Sequence, residues 1–137
     1  MITFFTVVLL ASCSKSPQYP SPDIKEGSIV IDKATLREGA PEFFSIEIEN
    51  NRINFFVLVI DGNVESYLDA CIRCYKEKKG YRVEGERVVC RACGVTYPVE
   101  MLKDGFGSCH PIPIKGTMAK GYYSIALDDI KSGAKYF

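Results

Sequence analysis

The chain has 137 residues, room for one domain and too little for two substantial ones. Its 17 Lys and Arg balance 17 Asp and Glu, which argues against a general nucleic-acid binder with its net basic surface. No heptads or internal repeats appear, apart from a duplicated Cys-x-x-Cys pair.

The first twelve residues, Met1 to Ser12, form an uncharged and largely apolar run. A permanent membrane-spanning helix needs about 20 such residues, so this run fits the hydrophobic part of a secretory signal instead. Leu10-Ala11-Ser12-Cys13 resembles a bacterial lipoprotein signal, which implies cleavage before Cys13 and lipid attachment to its thiol. An ordinary signal peptide, or a buried strand with an incidental cysteine, is the alternative. The expected address is a cell-membrane or outer-membrane lipoprotein facing the periplasm or the cell exterior.

Residues 13–26 carry Pro17, Pro20 and Pro22 and read as an extended, unpacked tether. The domain is expected to run from residue 27 to 137. Ser28 to Ile31 is a short strand, and Asp32 to Glu38 a helical turn or loop. Glu42 to Glu49 alternates in its second half, with Phe44, Ile46 and Ile48 on one face. Arg52 to Ile60 is nearly all apolar in its later half, the mark of a central strand. Val64 to Leu68 leads into the cysteines, Val95 to Val99 leaves them as a strand, and Tyr122 to Leu127 is a closing strand with Asp128 and Asp129 capping a final turn. The fold class is mainly β, a small antiparallel sheet domain.

Cys71-Ile72-Arg73-Cys74 is followed, after fifteen residues, by Cys90-Arg91-Ala92-Cys93-Gly94. Two such pairs aim four sulfurs at one point if the connection folds back, and Gly80 to Val83 with Arg87 to Val89 reads as a hairpin around Glu84-Gly85-Glu86. The two pairs are therefore expected at hairpin tips. With Cys13 assigned to the anchor, five cysteines remain, and an odd number outside the cytoplasm favours ligation over a disulfide framework. Four thiolates suit an iron–sulfur cluster, and equally mononuclear iron, zinc or copper. Cys109 is a fifth candidate ligand, and His110, the only histidine, a weaker one. Met101 and Met118 are conceivable copper ligands. Arg73, Lys76, Lys78, Lys79, Arg82, Arg87 and Arg91 outnumber Glu77, Glu84 and Glu86 here, and would offset thiolate charge or guide an acidic partner. No hydrolytic triad forms around His110 and no phosphate loop is present, so the reading is a metal-binding or electron-transfer protein and not a stand-alone enzyme. Its alternatives are a structural zinc module that docks a partner, or an iron or copper chaperone.

The run Leu68-Asp69-Ala70-Cys71, Cys74-Tyr75, Lys79-Gly80-Tyr81-Arg82, Glu84-Gly85, Val88-Val89-Cys90, Cys93-Gly94, then Gly107, Cys109 and Pro111-Ile112-Pro113, resembles the FtrD-like domain, a family described as membrane-associated and iron–sulfur containing. The resemblance covers Phe43 to Phe137. It implies that Cys71, Cys74, Cys90 and Cys93 are ligands, with Cys109 a further candidate. It also implies an electron-transfer role beside ferrous iron uptake, with a redox partner or iron permease-associated proteins. Many members carry transmembrane helices before this domain; here the Cys13 anchor would take their place. A fainter resemblance is to Rieske domains, through Arg82 to Cys90, Gly94-x-x-Tyr97 and Cys109-x-Pro-x-Pro113. Cysteines at 74 and 93 replace that family's ligand histidines, which implies a lower reduction potential.

Overall fold

The computed structural model describes residues 16–137. The signal expected over residues 1–12, and Cys13, lie outside the described residues.

In chain order, β1 (Asp23–Lys25) and β2 (Ser28–Asp32) precede a 3-10 turn at Lys33–Thr35, where the Asp32 carboxylate accepts a hydrogen bond from the Ala34 amide at 2.9 Å. Three longer strands follow: β3 (Glu42–Ile48), β4 (Asn51–Ile60) and β5 (Asn63–Cys71). The cysteine-rich segment supplies β6 (Tyr81–Glu84), β7 (Arg87–Cys90) and β8 (Thr96–Pro98). Then come β9 (Pro111–Ile114), β10 (Thr117–Ala119), β11 (Tyr122–Ala126) and a short helix α1 (Leu127–Lys131). Asp128 and Asp129 lie in the first turn of α1, where acidic side chains suit the helix dipole, but neither caps it: the N-cap is Ala126.

The described residues make three sheets, with strand orders β1-β2-β11-β10, β3-β4-β5-β9 and β6-β7-β8, and every pairing within them is antiparallel. The middle sheet is buried on both faces, which explains the uninterrupted apolar run of β4. Successive side chains on a strand point to opposite faces. Ile53, Phe55, Val57 and Val59 accordingly join Ile29, Ile31, Tyr123, Ile125 and Ile130 in one core. Phe56 and Leu58 join Tyr67, Tyr81, Val88 and Tyr97 in a second core, on the side of the cysteines. Each fully buried Phe or Leu of this kind stabilises the fold by about 1.5–3 kcal/mol. Phe44, Ile46 and Ile48 share the first core, as their alternation predicts.

The proline-rich stretch is not an unpacked tether from Pro17 onward. The Asn54 side chain donates to the Pro17 carbonyl at 2.7 Å, the Tyr19 amide donates to Ser45 Oγ at 2.8 Å, and the Ser45 amide donates to the Pro20 carbonyl at 3.1 Å. Proline lacks an N–H but keeps its carbonyl as an acceptor, so the segment satisfies buried Ser45 and Asn54 while staying extended. The Tyr19 ring packs on Phe43 at 5.0 Å between centroids. No helix among the described residues is long and apolar enough to cross a membrane.

Candidate metal centre

The meander β3-β4-β5 ends on Cys71, and the chain then turns through Ile72 and Arg73 to Cys74, whose amide donates to the Cys71 carbonyl at 3.1 Å. A 3-10 turn at Tyr75–Glu77 follows, so this pair sits at a strand end and not at a hairpin tip. The second pair occupies the turn between the paired strands β7 and β8, closed by the Gly94 amide on the Cys90 carbonyl at 2.8 Å. Hairpin β6–β7, turning at Gly85, brings the pairs together, and the Arg91 amide ties back to the Gly80 carbonyl at 2.9 Å.

Cys109 arrives from the far side. Its amide and carbonyl both bond to Phe106, each at 3.1 Å, and β9 then pairs with β5 so that Pro111 lies opposite Cys71. The Ile72 amide donates to the His110 carbonyl at 3.0 Å. Gly105 makes this loop possible: its φ is +62°, and a Cβ there would stand 2.2 Å from the Cys109 carbonyl oxygen.

These elements place Cys109 Sγ 3.6 Å from Cys71 Sγ and 3.7 Å from Cys93 Sγ. Two donor groups result, Cys71 with Cys90 and Cys109, and Cys74 with Cys90 and Cys93, each with its sulfurs within 4.8 Å of one another. Cys90 belongs to both. The first group is buried, with exposures of 2%, 1% and 1%, whereas Cys74 is partly accessible and Cys93 is exposed. All five are free thiols. The pocket is thus closed on one side and open at Cys93.

Burial pushes the Cys71 thiol up, but hydrogen bonds from the Tyr81 hydroxyl, the Arg73 and Cys74 amides and Cys109 outweigh it, and the net direction is down. Cys93 follows the same pattern, with the Val95 amide as its strongest stabiliser. Burial raises Cys90 and Cys109, and it pushes Cys74 up to about 12 with help from the neighbouring Cys71 and Cys90. Five adjacent thiols oppose one another's ionisation, and a soft cation removes that conflict by replacing the protons. A metal bonded to thiolates at about 2.3 Å has a tetrahedral edge of about 3.8 Å, close to the observed sulfur spacings. The donor set fits zinc, iron, copper(I) or an iron–sulfur centre.

His110 lies outside both groups, its Nδ1 3.1 Å from the Pro111 carbonyl oxygen. Met101 is exposed in the 3-10 turn after β8, and Met118 is exposed on β10 in a different sheet.

Three residues beside the sulfurs escape a reading of cysteine spacing. Tyr81 is fully buried with its hydroxyl 3.9 Å from Cys109 Sγ, and Tyr97 is buried in the same core. Asp69 lies buried two residues before Cys71, accepting from the Tyr81 amide at 2.6 Å and from the Tyr19 hydroxyl at 3.4 Å. Burial pushes its carboxyl up to about 7, against the Tyr81 amide, the charge of Arg91 and the Tyr19 hydroxyl.

No curated protein matches the chain. The family described as "Membrane iron-sulfur containing protein FtrD-like" matches residues 36–137, which includes all five clustered cysteines and most of the chain, and the chain belongs to that family.

Proposed function

We propose that the cysteine pocket holds an iron–sulfur centre through Cys71, Cys74, Cys90 and Cys93, with Cys109 as a further ligand or a close neighbour of the centre, and that the protein passes single electrons at a membrane surface. The observation that carries this reading is the overlap of two thiol groups at Cys90, closed to solvent on one side and open at Cys93 on the other. The family description supports the choice of iron and sulfide over zinc, and it supports a membrane location. When bound, such a centre supplies a reversible one-electron couple. The chain's own residues hold and tune it. Amides of Arg73, Cys74 and Val95 face the sulfurs of Cys71 and Cys93. The open edge at Cys93 is where an electron would enter from a reduced donor protein and leave to an oxidised acceptor. A redox protein or an iron permease-associated protein is the partner class. The order of hairpin β6–β7, the Cys90 turn and the proline-rich strand β9 keeps a Rieske-like arrangement as part of this reading.

Residues 1–12 as a signal and lipidated Cys13 as the anchor complete the proposal; Cys13→Ala is then expected to move the protein from the membrane fraction to the soluble one. The redox reading is tested by the visible spectrum of the anaerobically purified full chain. A band that bleaches on reduction and returns on reoxidation supports it. A colourless protein holding zinc, whose fold is lost on chelation, supports a structural zinc module instead, a reading that the near-tetrahedral sulfur spacings also permit.

A further inference from the structure

The segments that carry the two cysteine pairs present a cationic surface. Between residues 72 and 82 the chain holds five basic side chains against the single acid Glu77, and Arg91 lies between Cys90 and Cys93. Arg73, Lys76, Lys78, Lys79 and Arg91 are all exposed, and none of them joins a salt bridge among the described residues; Arg82 is paired, with Glu84 at 2.8 Å. The whole chain is neutral, so this cationic end is balanced by acids elsewhere and would orient the molecule on a charged partner. The first described residues come in on the same side. Tyr19 packs on Phe43, which lies against the core on the side of the cysteines, and its hydroxyl donates to Asp69 Oδ2 at 3.4 Å. The other oxygen of Asp69 accepts the Tyr81 amide at 2.6 Å, and the Tyr81 carbonyl accepts Arg91 Nε at 3.0 Å. Asp69 and Tyr81 alone thus separate Tyr19 from Arg91. Cys13 precedes Pro17, whose carbonyl is held by Asn54, by four residues, a reach of about 14 Å at full extension. A lipid on Cys13 would therefore keep the cysteine side of the domain close to the bilayer.

We propose that Arg73, Lys76, Lys78, Lys79 and Arg91 form a second membrane contact, which binds the anionic headgroups of phospholipids and lays the open edge at Cys93 against the bilayer surface. A lipid anchor fixes one point and leaves the domain free to turn about it, whereas a second contact selects the face that meets the membrane. Each basic side chain near an anionic bilayer strengthens binding about fivefold, and the attraction fades within a Debye length, so it needs the short reach that Pro17 sets. Ile72, 37% exposed between Cys71 and Arg73, adds apolar surface of the kind that suits the headgroup boundary. Lipid is favoured over an acidic protein because the anchoring end of the chain emerges beside the same cations. The orientation rests on the Cys13 anchor; the lipid contact itself needs neither the anchor nor a metal. Its consequence rests on the electron-transfer reading: an edge held at the headgroups exchanges electrons with partners that are themselves in the membrane.

The test reconstitutes the full chain, purified from membranes, on vesicles of phosphatidylcholine alone or with one third phosphatidylglycerol. Its lysines are then acetylated by a reagent that does not cross membranes, and mass spectrometry reads each one. Lys115 and Lys120, exposed residues that flank β10 in a different sheet, serve as internal references. On anionic vesicles the labelling of Lys76, Lys78 and Lys79 is expected to fall about fivefold against those references, with no fall on neutral vesicles and recovery in high salt. Lys76→Gln combined with Lys79→Gln should restore most of the labelling of Lys78 and leave the unfolding midpoint unchanged, since both side chains are exposed. Equal labelling of Lys78 on the two kinds of vesicle overturns the proposal, as does protection that survives high salt or the double substitution. Protection by soluble polyglutamate with none from anionic vesicles also overturns it and assigns the cations to an acidic protein. A chain that floats with anionic vesicles and not with neutral ones, Lys78 protected, supports the lipid contact and contradicts the Cys13 anchor. Protection of Lys78 in a chain without a reversible redox couple supports the contact and contradicts the electron-transfer reading.

Discussion

The sulfur of Cys109 stands 3.6 Å from that of Cys71, although 38 residues separate them in the chain. The contact exists because β9 pairs with the end of β5, and it gives the metal-free protein a ready route to oxidation. Hydrogen bonding holds the thiols of both Cys71 and Cys93 down, while burial raises that of Cys109 between them. Treating the metal-free chain with diamide, which takes the two thiol hydrogens and is itself reduced, is expected to link Cys109 to one of its two neighbouring sulfurs, buried Cys71 at 3.6 Å or exposed Cys93 at 3.7 Å. Peptide mapping checks the linkage. The oxidised form should take up no metal until a dithiol restores it, and prior metal loading should protect it.

Residues 17–25 stabilise the domain they were expected merely to tether. Removing them leaves Ser45 and Asn54 buried with fewer partners, strips β1 from β2 and uncovers Phe43. Lost hydrogen bonds and apolar burial together put residues 27–137 about 2–4 kcal/mol below residues 16–137. Urea unfolding of the two chains gives that difference directly.

That docking was hidden from the sequence because proline density reports backbone stiffness and says nothing of what the carbonyls will meet. The elements that were legible are those whose signal is local. The apolar run of β4, the turn at Gly85 and the paired Cys-x-x-Cys spacing all reappear in place. What was not legible depends on long-range pairing. Ser28 to Ile31 and Tyr122 to Ala126 pair with each other at the centre of a sheet separate from that of β4, which no local pattern predicts. Cys109 could be named as an extra sulfur, but its position between the two pairs follows from β9 meeting β5.

Gly80 faces the buried Asp69. Its φ is +63°, and a Cβ would stand 2.5 Å from both carboxylate oxygens. Gly80→Ala therefore combines left-handed backbone strain with overpacking, at a cost of about 3 kcal/mol. The unfolding midpoint should fall accordingly, and metal affinity with it, because the Gly80 carbonyl holds the Arg91 amide of the second pair.

Stability should fall in alkali. Burial pushes the Tyr67 and Tyr123 hydroxyls up, and it pushes Tyr19 up to about 12 with help from Asp69. Each has a folded pKa above its unfolded value of 10, so its ionised form is disfavoured in the fold. The contribution is complete below that value and is lost as pH rises from there through the folded pKa. Urea unfolding followed against pH checks this, and Tyr19→Phe should lessen the loss of stability between pH 10 and 12.

The central claim is that the shared cysteine pocket carries an iron–sulfur centre, and Cys90 tests it because both donor groups contain that sulfur. The measurement is iron and acid-labile sulfide per chain in the anaerobically purified full-length protein and in Cys90→Ser. The account predicts iron with matching sulfide in the parent and neither in the variant. Zinc without sulfide in the parent, or undiminished iron and sulfide in Cys90→Ser, would contradict it.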